Sequence, residues 1–91
     1  MKKVIYSTKA KKDLKKYRND IKKMKALYEV LYLLLNDLPL PQHFKAHMLI
    51  GNYRNCMECH VGNDFLLIWI DADHEAINVL RVGSHSELFG N

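Results

Sequence analysis

Tyr53-Arg-Asn-Cys-Met-Glu-Cys-His-Val-Gly-Asn-Asp-Phe-Leu-Leu-Ile-Trp-Ile70 is the stretch from which the fold is read. From Tyr53 the side chains alternate with a period of two. Arg54, Cys56, Glu58 and His60 share one side of a strand, and Tyr53, Asn55, Met57 and Cys59 share the other. Phe65 to Ile70 is apolar at every position, as expected of a central strand covered on both faces. A tight turn centred on Gly62 would set His60 opposite Asp64. Asp71-Ala-Asp-His-Glu75 then reads as a polar turn and Ala76 to Val82 as the last strand, with Asp64 opposite Gly83 and Leu66 opposite Arg81. In this register Glu58, His60, Asp64 and Arg81 project from one face near one end of the sheet. Met57, Leu67, Trp69, Leu80 and Val82 take the other face, and a one-residue slip would reverse one strand's set.

Working outward from that sheet, Val4-Ile5-Tyr6 is a short first strand that stops at a helix cap in Ser7-Thr8. Ala10, Leu14, Tyr17 and Ile21 recur at helical spacing among lysines, predicting an amphipathic helix from near Lys9 to about Arg18. Asn19-Asp20 breaks it and caps a second helix that keeps its period to about Asn36. Two helices so closely joined are expected to form an antiparallel hairpin. Leu38-Pro-Leu-Pro41 ends the second helix, because proline lacks the amide hydrogen and restricts its predecessor. His43 and His47 fall in the linker that follows. The order is β-α-α-β-β-β, an α+β domain over residues 1–91 with the helix hairpin on one face of a mainly antiparallel sheet.

The chain has 91 residues, 48% hydrophobic and 26% charged, which suits one small globular domain rather than a disordered or membrane chain. No segment reaches the ~18 apolar residues of a membrane span, and the lysine-rich start lacks the apolar run of a signal peptide, so a cytoplasmic protein is expected. Net charge is +4 but unevenly placed. Residues 1–25 hold ten lysines and Arg18 against Asp13 and Asp20, a balance of +9, whereas residues 26–91 balance at −5. The basic helices are either a solvated surface or a patch for polyanions. Cys56 and Cys59 have the spacing of a metal or redox pair, but alternation sends them to opposite faces and no second ligand pair exists. Two reduced cysteines, with neither metal nor cofactor, are expected.

Ser84-His-Ser-Glu87 has capping-box spacing, which places His85 in the first turn of a short terminal helix. Its free amides suit an anion, such as a phosphate, and favour a neutral imidazole. Histidines, carboxylates and a guanidinium collected this way suit cleavage of RNA. That reaction needs a base for the ribose 2′-hydroxyl, an acid for the leaving 5′-oxygen and a cation for the phosphate. DNA lacks the 2′-hydroxyl and would not be cut by this route. Taken singly, His47, His60 and His85 are each better read as structural and His43 and His74 as surface residues, while Glu58 and Arg81 can be a cross-strand ion pair and Phe89 is as well read as a lid over the core.

Arg54-x3-Glu58-Cys-His60, Asp64, the apolar strand after it and Arg81-x-Gly83-Ser-His85-Ser-Glu-Leu-Phe89 together resemble the YafQ branch of the RelE/ParE superfamily of bacterial type II toxins. The resemblance runs over nearly the whole chain. It implies a ribosome-dependent mRNA endoribonuclease held inactive by a cognate antitoxin, with the ribosome and mRNA as partners and a monomeric free toxin. It also carries the family's catalytic histidines onto His47, His60 and His85, its acids onto Glu58 and Asp64, and its terminal aromatic onto Phe89. In this reading His85 and Asp64 exchange protons with the RNA, His47 and His60 assist, and Arg81, Arg54, Phe65 and Phe89 contact substrate. Glu58 stands where aspartate is common, Phe65 where tryptophan can occur, and Asn63 where proline often precedes the acid. Two other classes fit the composition: a gyrase inhibitor without nuclease activity, like the ParE side of the superfamily, and a non-toxic basic nucleic-acid-binding module.

Overall fold

A computed structural model describes residues 1–71 and 75–90. The first strand, β1 (Lys3–Tyr6), gives way at Ser7, whose hydroxyl accepts the Ala10 amide at 2.9 Å and so caps α1 (Thr8–Tyr17). Asp20 caps α2 (Ile21–Leu35) in the same way through the Lys23 amide. The second helix does not wait for the prolines. Asp37 takes a left-handed φ of 55°, its amide bonds the Leu34 carbonyl, and the Leu38 amide bonds Leu33. That pair of bonds is a Schellman stop, and Pro39 and Pro41 only direct the chain away from it.

Five strands form one sheet in the order β1-β5-β4-β3-β2, one more than the sequence suggested. The addition is β2 (His47–Met48), a two-residue edge strand inside the stretch read as linker. It is too short to show a period. Conversely, β3 (Met57–Gly62) starts four residues later than alternation predicted, because Gly51–Tyr53 forms a 3-10 turn and Asn55 has a φ of 70°. Arg54 therefore lies in the turn before the strand, not on its face. The remaining strands are β4 (Phe65–Ile70) and β5 (Ala76–Gly83), followed by α3 (His85–Phe89). Only the β1–β5 pairing is parallel. The expected turn at Asp73-His74 lies outside the described residues.

The register differs from expectation by two residues at both hairpin pairings. His60 faces Leu66 and Gly62 faces Phe65, so the turn is centred on Asn63-Asp64 and not on Gly62. Leu66 faces Gly83 and Ile68 faces Arg81. An even shift leaves each side chain on its predicted face, so the sidedness of β3 and β4 survives. A bulge in β5 alters one residue. Ile68 pairs with Arg81 but Trp69 with Val79, which leaves Leu80 as the extra residue. Leu80 thus joins the face away from the helices, and its carbonyl accepts the Ser7 hydroxyl at 2.7 Å.

Both faces of β4 are covered. Phe65, Leu67 and Trp69 pack with Ala10, Leu27, Val30 and Leu31 of the helices, while Leu66 and Ile68 pack with Cys56 and Leu88 on the opposite side. Each fully buried leucine, isoleucine, valine or phenylalanine among them contributes about 1.5–3 kcal/mol, and the burial of Leu88 seats α3 on the sheet. Lys2 is buried too. Its amine reaches Asp37 and Asp71 at 2.7 Å each, and these two bonds raise its pKa. Among the described residues no helix is long and apolar enough to cross a membrane.

Candidate active site

The face of the sheet away from the helices carries an open strip of polar side chains. Asp64 sits at the tip of the β3–β4 turn with a φ of 50°, which frees its carboxylate from the ladder. That carboxylate reaches the start of α3, where Oδ1 accepts both the His85 amide and His85 Nδ1 at 2.9 Å. The anion expected at this helix start is therefore a side chain of the protein itself. The two bonds, backbone first, hold the Asp64 carboxyl below its usual range. Fixing the proton on Nδ1 leaves Nε2 of His85 as the free nitrogen.

The terminal helix is seated by the predicted capping box. The Ser84 hydroxyl accepts the Glu87 amide at 3.2 Å, and a Glu87 oxygen accepts the Ser84 amide at 2.9 Å. Gly83 makes room for this arrangement, since a Cβ there would meet the Glu87 carboxylate at 2.7 Å. Around His85 the aromatic neighbours are His60, with ring centres 5.8 Å apart, and Phe89 at 6.3 Å. Phe89, 37% exposed, also meets the edge of Tyr53 at 5.8 Å.

A second pair lies at the other edge of the strip. His47 is opposite Glu58 in the β2–β3 ladder, with its Nε2 at 3.1 Å from the buried carboxylate and its Nδ1 at 2.8 Å from the Lys45 carbonyl. Glu58 is two residues from His60 on the same side of β3, so the strip is continuous.

Of the residues singled out in the sequence, His60, Asp64, His85 and Phe89 come together, and His47 with Glu58 adjoins them. Two do not join them as expected. Arg81 pairs with neither Glu58 nor open solvent. Its guanidinium makes two bonds to Asp13, at 2.8 and 3.1 Å, and one to the Tyr53 hydroxyl, and Asp13 raises its already high pKa. Asp13 also accepts the Val82 amide at 3.0 Å, so this ion pair holds α1 against β5. Phe65 is 1% exposed and packs on Tyr17 in the core, which removes it from any substrate surface. Arg54 remains exposed beside Tyr53.

Three contributors escaped the sequence reading: Asp13, Tyr17 and Tyr53. Asp13 carried a signal, as an acid within the apolar side of a lysine-rich helix three residues after Ala10. Cys56 and Cys59 fall in different core clusters on opposite faces of the sheet. Burial raises both thiol pKa values, that of Cys59 to about 12, so neither is a ready thiolate nucleophile.

Residues 2–90 match the family described as "Bacterial toxin of type II toxin-antitoxin system, YafQ". The mRNA interferase toxin YafQ of Escherichia coli (strain K12) is 35% identical over 88 residues, covering 96% of this chain and 95% of that protein. The crystal structure of YafQ from E. coli strain BL21(DE3) superposes with a TM-score of 0.86 at 32% identity, covering 99% of this chain and all of that one. YafQ in the E. coli DinJ-YafQ complex superposes with a TM-score of 0.84 at 33% identity, with 99% and 100% covered.

Proposed function

The chain belongs to the YafQ family of type II toxin-antitoxin toxins, and from that premise we propose that it is an mRNA endoribonuclease whose central proton-transfer group is His85. The observation that carries this reading is the bond from His85 Nδ1 to Asp64, which leaves Nε2 as the nitrogen not held by that carboxylate on a ring neighboured by His60 and Phe89. In the reaction a base removes the 2′-hydroxyl proton, O2′ attacks phosphorus, and the bond to O5′ breaks as an acid protonates it. The products are a 2′,3′-cyclic phosphate and a 5′-hydroxyl.

His85 Nε2 serves one proton transfer, and the strip supplies His60 or His47 for the other. Asp64 stays ionised, so its part is to fix the tautomer and stabilise the imidazolium that forms. Glu58 holds the His47 ring in place through Nε2. With Arg81 engaged by Asp13, the exposed Arg54 is the guanidinium we assign to the phosphate, and Phe89 offers a face on which a base can stack.

His47, His85 and Asp64 side chains are 48%, 54% and 57% exposed, so the groups line a surface and not a closed cleft. Such a site neither excludes water nor fixes an RNA strand by itself, which supports cleavage on the ribosome, where translated mRNA is already held. Action in the cytoplasm follows from that substrate. An antitoxin partner accords with the E. coli relative, whose complex with DinJ is known. Expressed without antitoxin, the parent is expected to arrest growth and cut translated mRNA, read by primer extension. A His85→Ala variant is expected to lose ~100-fold or more of the cleavage rate. Parental cleavage by that variant would refute the assignment, and arrest with intact mRNA but inhibited supercoiling would favour the gyrase reading.

A further inference from the structure

We propose that Tyr17 is a positioning residue for the His85–Asp64 pair, acting from α1 without touching RNA. The hydroxyl donates to the Glu87 carboxylate, and the ring packs on Phe65 with centres 4.8 Å apart at an angle of 56°. Glu87 closes the capping box on Ser84, the residue immediately before His85. Phe65 is the residue immediately after Asp64. One side chain therefore links Phe65, next to Asp64, with Glu87, whose carboxylate caps the turn that carries His85.

The Asp64–His85 contacts tie the two residues to each other but not to the core, since both side chains are more than half exposed. Tyr17 supplies the missing reference. Its ring joins the buried cluster of the helix face, and its hydroxyl sets where Glu87, and so the first turn of α3, can lie. The bond is durable across physiological pH. Burial first and Glu87 second push the Tyr17 pKa up to about 12, while Tyr17 lowers that of Glu87, so a neutral donor faces an ionised acceptor. Lys16 adds a longer contact to the other Glu87 oxygen at 3.5 Å.

This inference rests on the reading of His85 as the proton-transfer group, and the test separates the two. Full-length parent, Tyr17→Phe, Glu87→Gln and His85→Ala are compared in a translation extract for kcat and KM of mRNA cleavage, and His85 ring nitrogens are followed by NMR in the purified proteins. Tyr17→Phe keeps the ring in the core and removes only the bond to Glu87. It is expected to lower kcat about tenfold with KM unchanged, the loss of one charge-assisted bond's worth of alignment. The His85 signal should move from one Nδ1–H tautomer to a mixture. Glu87→Gln should do the same, and it decides the matter if Tyr17→Phe fails to fold. Parental kcat in the folded variants, or a fall in kcat with unchanged His85 signals, overturns the proposal. Cleavage by His85→Ala overturns the reading beneath it instead.

Discussion

His47 bridges two acceptors: its Nε2 lies 3.1 Å from Oε1 of Glu58, its partner across the ladder, and its Nδ1 lies 2.8 Å from the Lys45 carbonyl oxygen. Either the ring donates from both nitrogens or a proton rests on the Glu58 carboxyl. Among the described residues Glu58 Oε2 is buried without a partner, so His47 is the group that satisfies this carboxyl. Glu58→Gln keeps the shape and removes the charge. Cleavage is expected to fall roughly tenfold. A parental cleavage rate in the folded variant would remove Glu58 from the mechanism.

Acid should undo the other pair. The amide and ring of His85 hold the Asp64 carboxyl below its ordinary value of 3.8. A depressed carboxylate adds stability that is complete above the unfolded pKa and is lost as pH falls through the folded one. The contact therefore contributes fully above about pH 4 and fades below it. Denaturant midpoints followed from neutral into acid should show a shallower decline for Asp64→Asn than for the parent. Parallel declines would mean that this contact adds nothing to the fold.

Removing Asp13 should cost stability before activity. Its side chain is 7% exposed and that of Arg81 is 17% exposed, so Asp13→Ala leaves a largely buried cation and the Val82 amide unpaired. The expected loss is about 3–5 kcal/mol. For a domain of this size that lowers the thermal midpoint by more than ~10 °C. A midpoint within a few degrees of the parent's would show that Arg81 finds another partner.

Phe89 tests substrate contact. The ring is partly exposed and meets only Tyr53 and His85 among the described aromatic contacts, so truncation removes little from the core. If a base stacks there, Phe89→Ala should weaken RNA binding by about 1–3 kcal/mol. The change belongs in KM, with the melting temperature nearly unchanged. An unaltered KM would return the ring to the role of a lid.

How much of the site was legible varies with the range of the interaction. The capping box at Ser84 and Glu87 is a contact over three residues, and its spacing alone predicted the bond later found. The sidedness of Glu58 and His60 was also available, because a strand's period of two fixes faces before any partner is known. His47 was different. A two-residue strand has no period, and it exists because Glu58 and Met57 of another strand supply its ladder. The family resemblance singled out His47, but its geometry needed the sheet.

Arg81 and Phe65 mark the boundary most clearly. Both looked free for substrate, since nothing in their own segments supplies a partner. Their partners, Asp13 and Tyr17, lie on α1, more than 45 residues away in sequence. The sequence by itself determined the two helices, the buried central strand, the faces that Glu58 and His60 share on β3 and the cap that starts α3. Only the tertiary structure decided the register, the bulge at Leu80, the pairing of Asp64 with His85 and the diversion of Arg81. Propensity, period and capping act within a few residues, whereas register and ion pairing depend on which distant groups the packed core brings within reach.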